Sequence, residues 1–418
     1  MSIQSYDIVI VGGGVIGTAI AYYISKEHDL SVALIDFKKP GNASRTSAGG
    51  LWPIGESVGL GCGVIFFKTF SKQIAASGGL SLPQRPPILP EFFFDFCLKS
   101  NELYPDLWQE FKEDYGIDFK LQNTGLKFII YDDPDKQYAE QIAGSIPHLQ
   151  HHLRWLDADE LSKEEPFVTP DAIGALMFLN DHQVNPYLLV QAYREAARQN
   201  GATLFLESEV RDVIPNKHEG GYLKTDWDTI SYKVLINAAG AWASDIAEMA
   251  INRNLPITPV KGQIMLSEKI PKMINSCLST SDCYIAQKDN GEILIGSTTE
   301  NKGYDTSCTF DELRGLSEGA VRCIPDLRNI NIKRAWAGLR PGTPDEIPIL
   351  GPVEGVNGYL NACGHFRTGI LTSAVTGQII NALVHNRPLP VSLSPFLLER
   401  FNDLHQKKVE PLMYKDDK

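Results

Sequence analysis

Apolar and polar positions along the chain alternate between two periods, and the first clear block has neither. After Asp7 the sequence runs Ile8-Val-Ile-Val11 without alternation, the pattern of a parallel strand covered on both faces. Ala19, Ile20, Tyr23 and Ile24 then fall on one helical face. Ser31-Val-Ala-Leu-Ile35 reads as a second strand ending at Asp36, so the opening segment is one strand–helix–strand unit. Further on, a helix is expected over 91–115, broken or bent near Pro105, with strands over 125–131 and 173–179. Asn185-Pro186 opens another helix, to about Asn200, with proline in its first turn. Thr203–Leu206 and Lys233–Asn237 read as strands returning to the first unit. Residues 257–300 are strand-rich around Asp289-Asn-Gly291, a turn suited to a hairpin.

The turn between the first strand and helix carries the chemistry. Gly12, Gly14 and Gly17 follow the G-x-G-x-x-G spacing, with Val15 and Ile16 opening the helix. The first glycine permits the turn, the second lets backbone approach a pyrophosphate, and the third lets helix pack on strand. The helix N-terminus adds amide donors and a positive dipole end. Asp36, at the end of the second strand, is placed to bind ribose hydroxyls and would repel a 2′-phosphate. Ser44-Arg-Thr-Ser-Ala-Gly-Gly-Leu51 follows; its small residues Ser47, Ala48, Gly49 and Gly50 suit a loop running along a flavin, or a plain surface loop. The strand at 233–237 ends in small residues, and Ala239 and Gly240 can approach the nucleotide closely. A second fingerprint of this type is absent, since Gly59-Leu-Gly-Cys-Gly63 lacks a preceding strand and a following acid. Electrons therefore do not come directly from NAD(P)H.

Two segments near the far end indicate what the cradle holds: Trp336-Ala-Gly-Leu-Arg-Pro341 and Gly364-His-Phe-Arg-Thr-Gly-Ile-Leu371. A second glycine-rich helix start suits FAD, whose ring must be gripped far from its adenine. Arg340 and Arg367 offer guanidinium forks for a carboxylate, and Tyr284 offers a phenolic donor or serves as a core aromatic. The helix start at Thr368, aimed at the flavin, would stabilise negative charge there. His365 would do so if protonated, or be structural, and no acid–base role is assigned to it. The expected fold is α/β: a discontinuous Rossmann-like FAD-binding domain (1–80, 181–246 and 332–400) with an inserted antiparallel-sheet α+β substrate domain (81–180 and 247–331) and a tail, 401–418.

Bulk properties narrow the partners. The 418 residues carry a net charge of −12, which argues against nucleic acid. Composition is that of a globular protein, 43% apolar and 22% charged. The seven cysteines show no Cys-x-x-Cys pair and no zinc spacing, so reduced thiols and no metal are expected. Neither a signal peptide nor a stretch approaching the roughly 18 apolar residues of a membrane span is read; peripheral attachment stays open.

Over nearly its whole length the chain resembles the glycine oxidase and D-amino acid oxidase family of flavoproteins. It looks most like the branch found in bacterial hydrogen cyanide synthases. The carriers are the run from Ala48 to Phe67, the run Thr280-Ser-Asp-Cys-Tyr to Glu300, and Asn361-Ala-Cys-Gly-His-Phe-Arg-Thr-Gly-Ile-Leu371. The resemblance implies a D-amino acid oxidase-like fold. It implies FAD contacts at Gly12 to Gly17, Asp36, Ala48 to Gly50, the Val210 backbone and, near the far end, Gly364, His365, Phe366, Arg367, Thr368, Gly369, Ile370 and Leu371. It implies a carboxylate clamp at Arg340, with Tyr284 and Arg367 near the substrate. A related sarcosine-oxidising branch carries a flavin-linking cysteine where this chain has Gly338, and Cys363 is elsewhere, so non-covalent FAD is implied. The implied reaction takes glycine to HCN and CO2, with hydride leaving Cα for flavin N5. The implied setting is a heteromeric complex with an Fe–S subunit and a second flavin-type subunit, peripheral to the cytoplasmic side of the inner membrane. Rival readings are a stand-alone glycine, sarcosine or D-amino acid oxidase or dehydrogenase, and a non-catalytic electron carrier. Residues 53–90, with Val64-Ile-Phe-Phe67 and Cys62, read either as a docking surface for partner subunits or as core of the inserted domain.

Overall fold

The computed structural model describes residues 3–60, 88–216 and 220–405. The docking segment around Cys62, Val64 and Phe67 lies outside the described residues. Two large sheets organise the rest. In the first, Gln4–Val11 sits centrally with its inner half buried. It pairs in parallel with Val32–Asp36 on one side and Thr229–Asn237 on the other. Thr203–Leu206 extends one edge in parallel, and Tyr359–Cys363 extends the other. The helix Val15–Ser25 packs beneath this sheet with Pro186–Gln199 and Gly369–Val384, burying Ile16, Ile20, Leu189, Tyr193 and Val375 together. Asn185 starts Pro186–Gln199 as expected, its side chain accepting from the Leu188 amide at 3.2 Å.

The second sheet orders Ile332–Gly342, Thr258–Lys269, Glu292–Gly296, Tyr284–Gln287, Cys277–Ser279, Leu126–Ile130, Gly174–Phe178 and Leu153–Asp157. Asp289-Asn-Gly291 closes the hairpin between Tyr284–Gln287 and Glu292–Gly296. Period-two alternation divides its faces. Ile264, Leu266, Tyr284, Ala286 and Leu294 pack on one side with Trp52 and the helix Asp133–Ser145. Met265, Ile285, Ile293 and Ile295 pack on the other against Leu316 and Ala320 of the helix Phe310–Cys323. The first face looks toward the nucleotide half.

Two segments lie elsewhere than the sequence boundaries place them. Ile332–Gly342, expected in the nucleotide domain, pairs along most of its length with Thr258–Lys269 in the second sheet. The helix expected over 91–115, broken or bent near Pro105, is broken there into Glu91–Glu102 and Tyr104–Asp114, because Pro105 fits only the first turn of a new helix. Both bury Phe93, Phe96, Tyr104 and Phe111 in the core under the first sheet, not in the substrate half. Gly50–Leu51 pairs antiparallel with His182–Gln183 in a separate two-stranded sheet.

Candidate active site

One long pocket runs between the sheets, from Asp36 and Val210 at one end to Arg340 and Tyr284 at the other. Backbone builds the first end. Gly12 adopts φ +114°, and a Cβ there would overlap the carbonyl of Ala238. The helix Val15–Ser25 starts at Gly14 without a side-chain cap, so its N-terminus meets the pocket as amides. The Asp36 carboxylate accepts from the Gly13 amide at 3.0 Å, and Ser44 Oγ accepts from the Val15 amide at 2.9 Å. Val15, Ile16, Ser208, Ala239, Gly240 and Trp242 complete this end.

The middle is lined by Ser47, Ala48, Gly50 and Gly338, together with Gly364, His365, Phe366 and Arg367. Gly369 and Ile370 present the start of the helix Gly369–Val384 beside them. Phe366 lines the pocket. Its backbone turns left-handed at φ +45°, and its amide donates to the Pro341 carbonyl at 3.0 Å, which ties this run to the strand that carries Arg340. Lys288 Nζ, from the hairpin of the second sheet, donates to the Ala48 carbonyl at 2.6 Å and to Gln183 Oε1 at 2.8 Å. Burial brings its pKa down to about 8. His365 is buried with Nε2 3.1 Å from Thr376 Oγ1, and desolvation takes its pKa to about 3. It is therefore neutral near pH 7 and supplies no positive charge. Four residues expected at the site do not line the pocket. Gly17 packs on the Gly12 carbonyl, Gly49 on Val184, Thr368 turns its hydroxyl to the His365 carbonyl, and Leu371 is in the core.

Side chains build the far end. Trp336, Gly338 and Arg340 share one face of their strand, opposite Ile264, Gly262 and Val260. Arg340 lies across Gly262, where any Cβ would collide with its guanidinium. Its Nη2 donates to Ser297 Oγ at 2.6 Å, and Nη1 donates to the Thr298 carbonyl at 3.2 Å. Tyr284 sits three strands away, its ring edge-on to Trp52 at 5.4 Å. Arg367 departs from the expectation of a second clamp: it lies 2.6 Å from Glu346 and 3.4 Å from Glu56, so two carboxylates already share its charge.

Glu56 and Asp181 escape sequence reasoning. Asp181 accepts from the amides of Ile54 (3.2 Å) and Gly55 (2.7 Å), fixing the short helix Pro53–Ser57 that aims Glu56 into the pocket. Burial raises the Asp181 pKa to about 8, against the lowering by those amides. Burial also raises that of Glu56, partly offset by Arg367 and then Arg340. The local signal for Glu56 was a lone acid closing the apolar run Leu51-Trp-Pro-Ile-Gly-Glu56; its contact with the Asp181 segment has no local trace.

This geometry fits FAD. A glycine-built, amide-lined end suits the pyrophosphate and ribose, and the pocket continues past a helix N-terminus to a polar chamber. Comparison with known proteins agrees. The chain is 56% identical over 411 residues to hydrogen cyanide synthase subunit HcnC of Pseudomonas protegens, covering 97% of this chain and 99% of that one. It is 57% identical over 403 residues to HcnC of Pseudomonas aeruginosa, covering 95% and 97%. The crystal structure of glycine oxidase from Geobacillus kaustophilus superposes with a TM-score of 0.82 at 28% identity, covering 95% of this chain and 99% of that one. The family described as FAD dependent oxidoreductase matches residues 7–383, and the chain belongs to it as an FAD-dependent oxidoreductase.

Proposed function

We propose that this chain oxidises glycine at Cα as the FAD-bearing subunit of a hydrogen cyanide synthase, yielding HCN and CO2 and passing electrons to partner subunits. The observation that carries this reading is the placing of Arg340 and Tyr284 on one face of the second sheet, at the end of the pocket opposite the glycine cradle. FAD, held non-covalently by Gly12, Gly14, Asp36, Ala48, Gly50, Val210 and the 364–370 run, would supply a two-electron acceptor there. Arg340 receives the substrate carboxylate, each charged hydrogen bond contributing about 1.5–3 kcal/mol. Tyr284 adds a donor, and Trp52 and Ile264 bound the space beside it. Arg367 neutralises Glu346 and Glu56 and does not serve as a second clamp. The first turn of Gly369–Val384 faces negative charge as it develops.

The HcnC relatives are named as subunits, which supports a heteromeric complex; an Fe–S subunit and a second flavin-type subunit are the proposed acceptors. Among the described residues no helix is long and apolar enough to cross a membrane, and peripheral attachment at the cytoplasmic face of the inner membrane is part of the same proposal. The test is anaerobic mixing of the purified yellow chain with glycine. Bleaching of the flavin absorbance is expected with glycine and not with acetate. Bleaching by a bulkier D-amino acid but not by glycine would replace the substrate assignment.

A further inference from the structure

A glycine molecule held by its carboxylate still carries an ammonium group, and an amine must be neutral before hydride can leave its carbon. The pocket has one group suited to that proton. Among the described lining residues, the acids Asp36, Glu209 and Asp245 belong to the nucleotide end, and Glu56 alone belongs to the Arg340 end. Its side chain is 12% exposed. Its Oε2 is buried without a hydrogen bond, and its nearest cation is Arg367 Nε at 3.4 Å. A buried carboxylate oxygen left without a donor is costly unless a ligand supplies one.

Resting on the glycine reading above, we propose that Glu56 is a catalytic residue, the general base that takes a proton from the bound substrate's ammonium group. With Arg340 on the carboxylate, the two hold the substrate by opposite charges. In the step, an N–H bond breaks, its electron pair stays on nitrogen, and an O–H bond forms at Glu56, which later returns the proton to solvent. Burial supports the assignment, because it raises the affinity of Glu56 for a proton. The charged and titratable groups around Glu56 are consistent with it. Burial raises its proton affinity most, Arg367 and then Arg340 oppose that rise, and Glu346 adds to it. Asp181 is committed to two amides. Cys97, from the helix behind, is a buried thiol whose pKa burial raises. Tyr284 has a phenol unsuited to accepting a proton near pH 7.

The test is the pH profile of anaerobic flavin reduction by glycine in the holoprotein, wild type against Glu56→Gln. In the wild type the rate rises with pH and then levels off as Glu56 ionises. In E56Q that inflection is lost, the rate climbs about tenfold per pH unit toward the ammonium's own pKa, and at pH 7 it falls by about a hundredfold. Acetate, a carboxylate without an amine, perturbs the flavin spectrum of both proteins at the same concentration. An unchanged profile, or a drop equal at every pH, overturns the proposal while leaving glycine as substrate. A wild type that glycine does not reduce overturns the substrate reading and this step with it. Should E56Q lose FAD, Glu56→Asp decides: the inflection must persist at a lowered plateau, and its disappearance or an unaltered plateau rejects the base.

Discussion

The two ends of the pocket are made of different materials. The nucleotide end is largely backbone: glycines, amides and a helix start, drawn mostly from one strand–turn–helix and the strand beside it. The substrate end is side chain, with Arg340 from an edge strand, Tyr284 from a hairpin, Glu56 from a five-residue helix and Arg367 from a loop. A cofactor's phosphates can be met by main chain, whose geometry a few glycines fix. A small substrate needs particular functional groups converging from distant segments. The first end should therefore fail all at once when its backbone is disturbed, and the second by degrees.

The sharpest break compares two glycines in the same turn. At Gly17 a Cβ would overlap the Gly12 carbonyl, so Gly17→Val should abolish soluble, cooperatively folding protein. At Gly14 a Cβ meets side chains and no backbone: the hydroxyl of Ser44 at 3.0 Å, then Ser44 Cβ and Asn42 Nδ2 at 3.9 and 4.0 Å. Gly14→Val should fold, with far-ultraviolet circular dichroism like the wild type, yet purify colourless because the side chain occupies the phosphate approach. Acid precipitation of the wild type should release the yellow colour as FAD; colour retained in the pellet would contradict non-covalent binding.

At the other end, Arg340→Ala should keep its FAD and weaken carboxylate binding by about a hundredfold, read from acetate or glycine titration of the flavin spectrum. Tyr284→Phe should act in the same direction by only several-fold, since the ring keeps its packing on Trp52 and one hydroxyl is lost. Equal losses in the two variants would mean that the carboxylate is not centred on Arg340.

The smallest effect concerns the support beneath Glu56. Asp181 holds its proton up to about pH 8 in the fold, against an ordinary value of 3.8. The native state therefore binds more protons than the unfolded one between those limits, and stability declines as pH rises through that window. The contribution is whole below about pH 4 and gone above about pH 8. Thermal midpoints measured from pH 5 to 8 should fall less steeply in Asp181→Asn than in the wild type. Parallel curves would show that the carboxyl is ionised throughout.

What could be read from the chain follows the same division. The glycine spacing, Asp36 and the apolar strands are local, so the cradle and its fold were legible, as were the hairpin at Asp289-Asn-Gly291 and the helix from Asn185. Arg340 and Tyr284 each sit in a motif of their own, and both line the pocket. Glu56 was missed because its orientation depends on Asp181, 125 positions on. Arg367 read as a clamp because neither Glu56 nor Glu346 is marked by the sequence as its neighbour. The strand Ile332–Gly342 likewise carries no local mark of its partner across the ladder, Thr258–Lys269.

The central strand carries a consequence for how the molecule is made. Gln4–Val11 is synthesised shortly before Val32–Asp36, which soon covers one of its edges. Its other edge waits for Thr229–Asn237, more than two hundred residues later. At about 5–20 residues per second, that is on the order of ten seconds or more during which Ile8 to Val11 present an unpaired apolar edge. The element that defines the cofactor site is thus synthesised long before its second neighbour, and for that interval it depends on whatever shields nascent chains from one another.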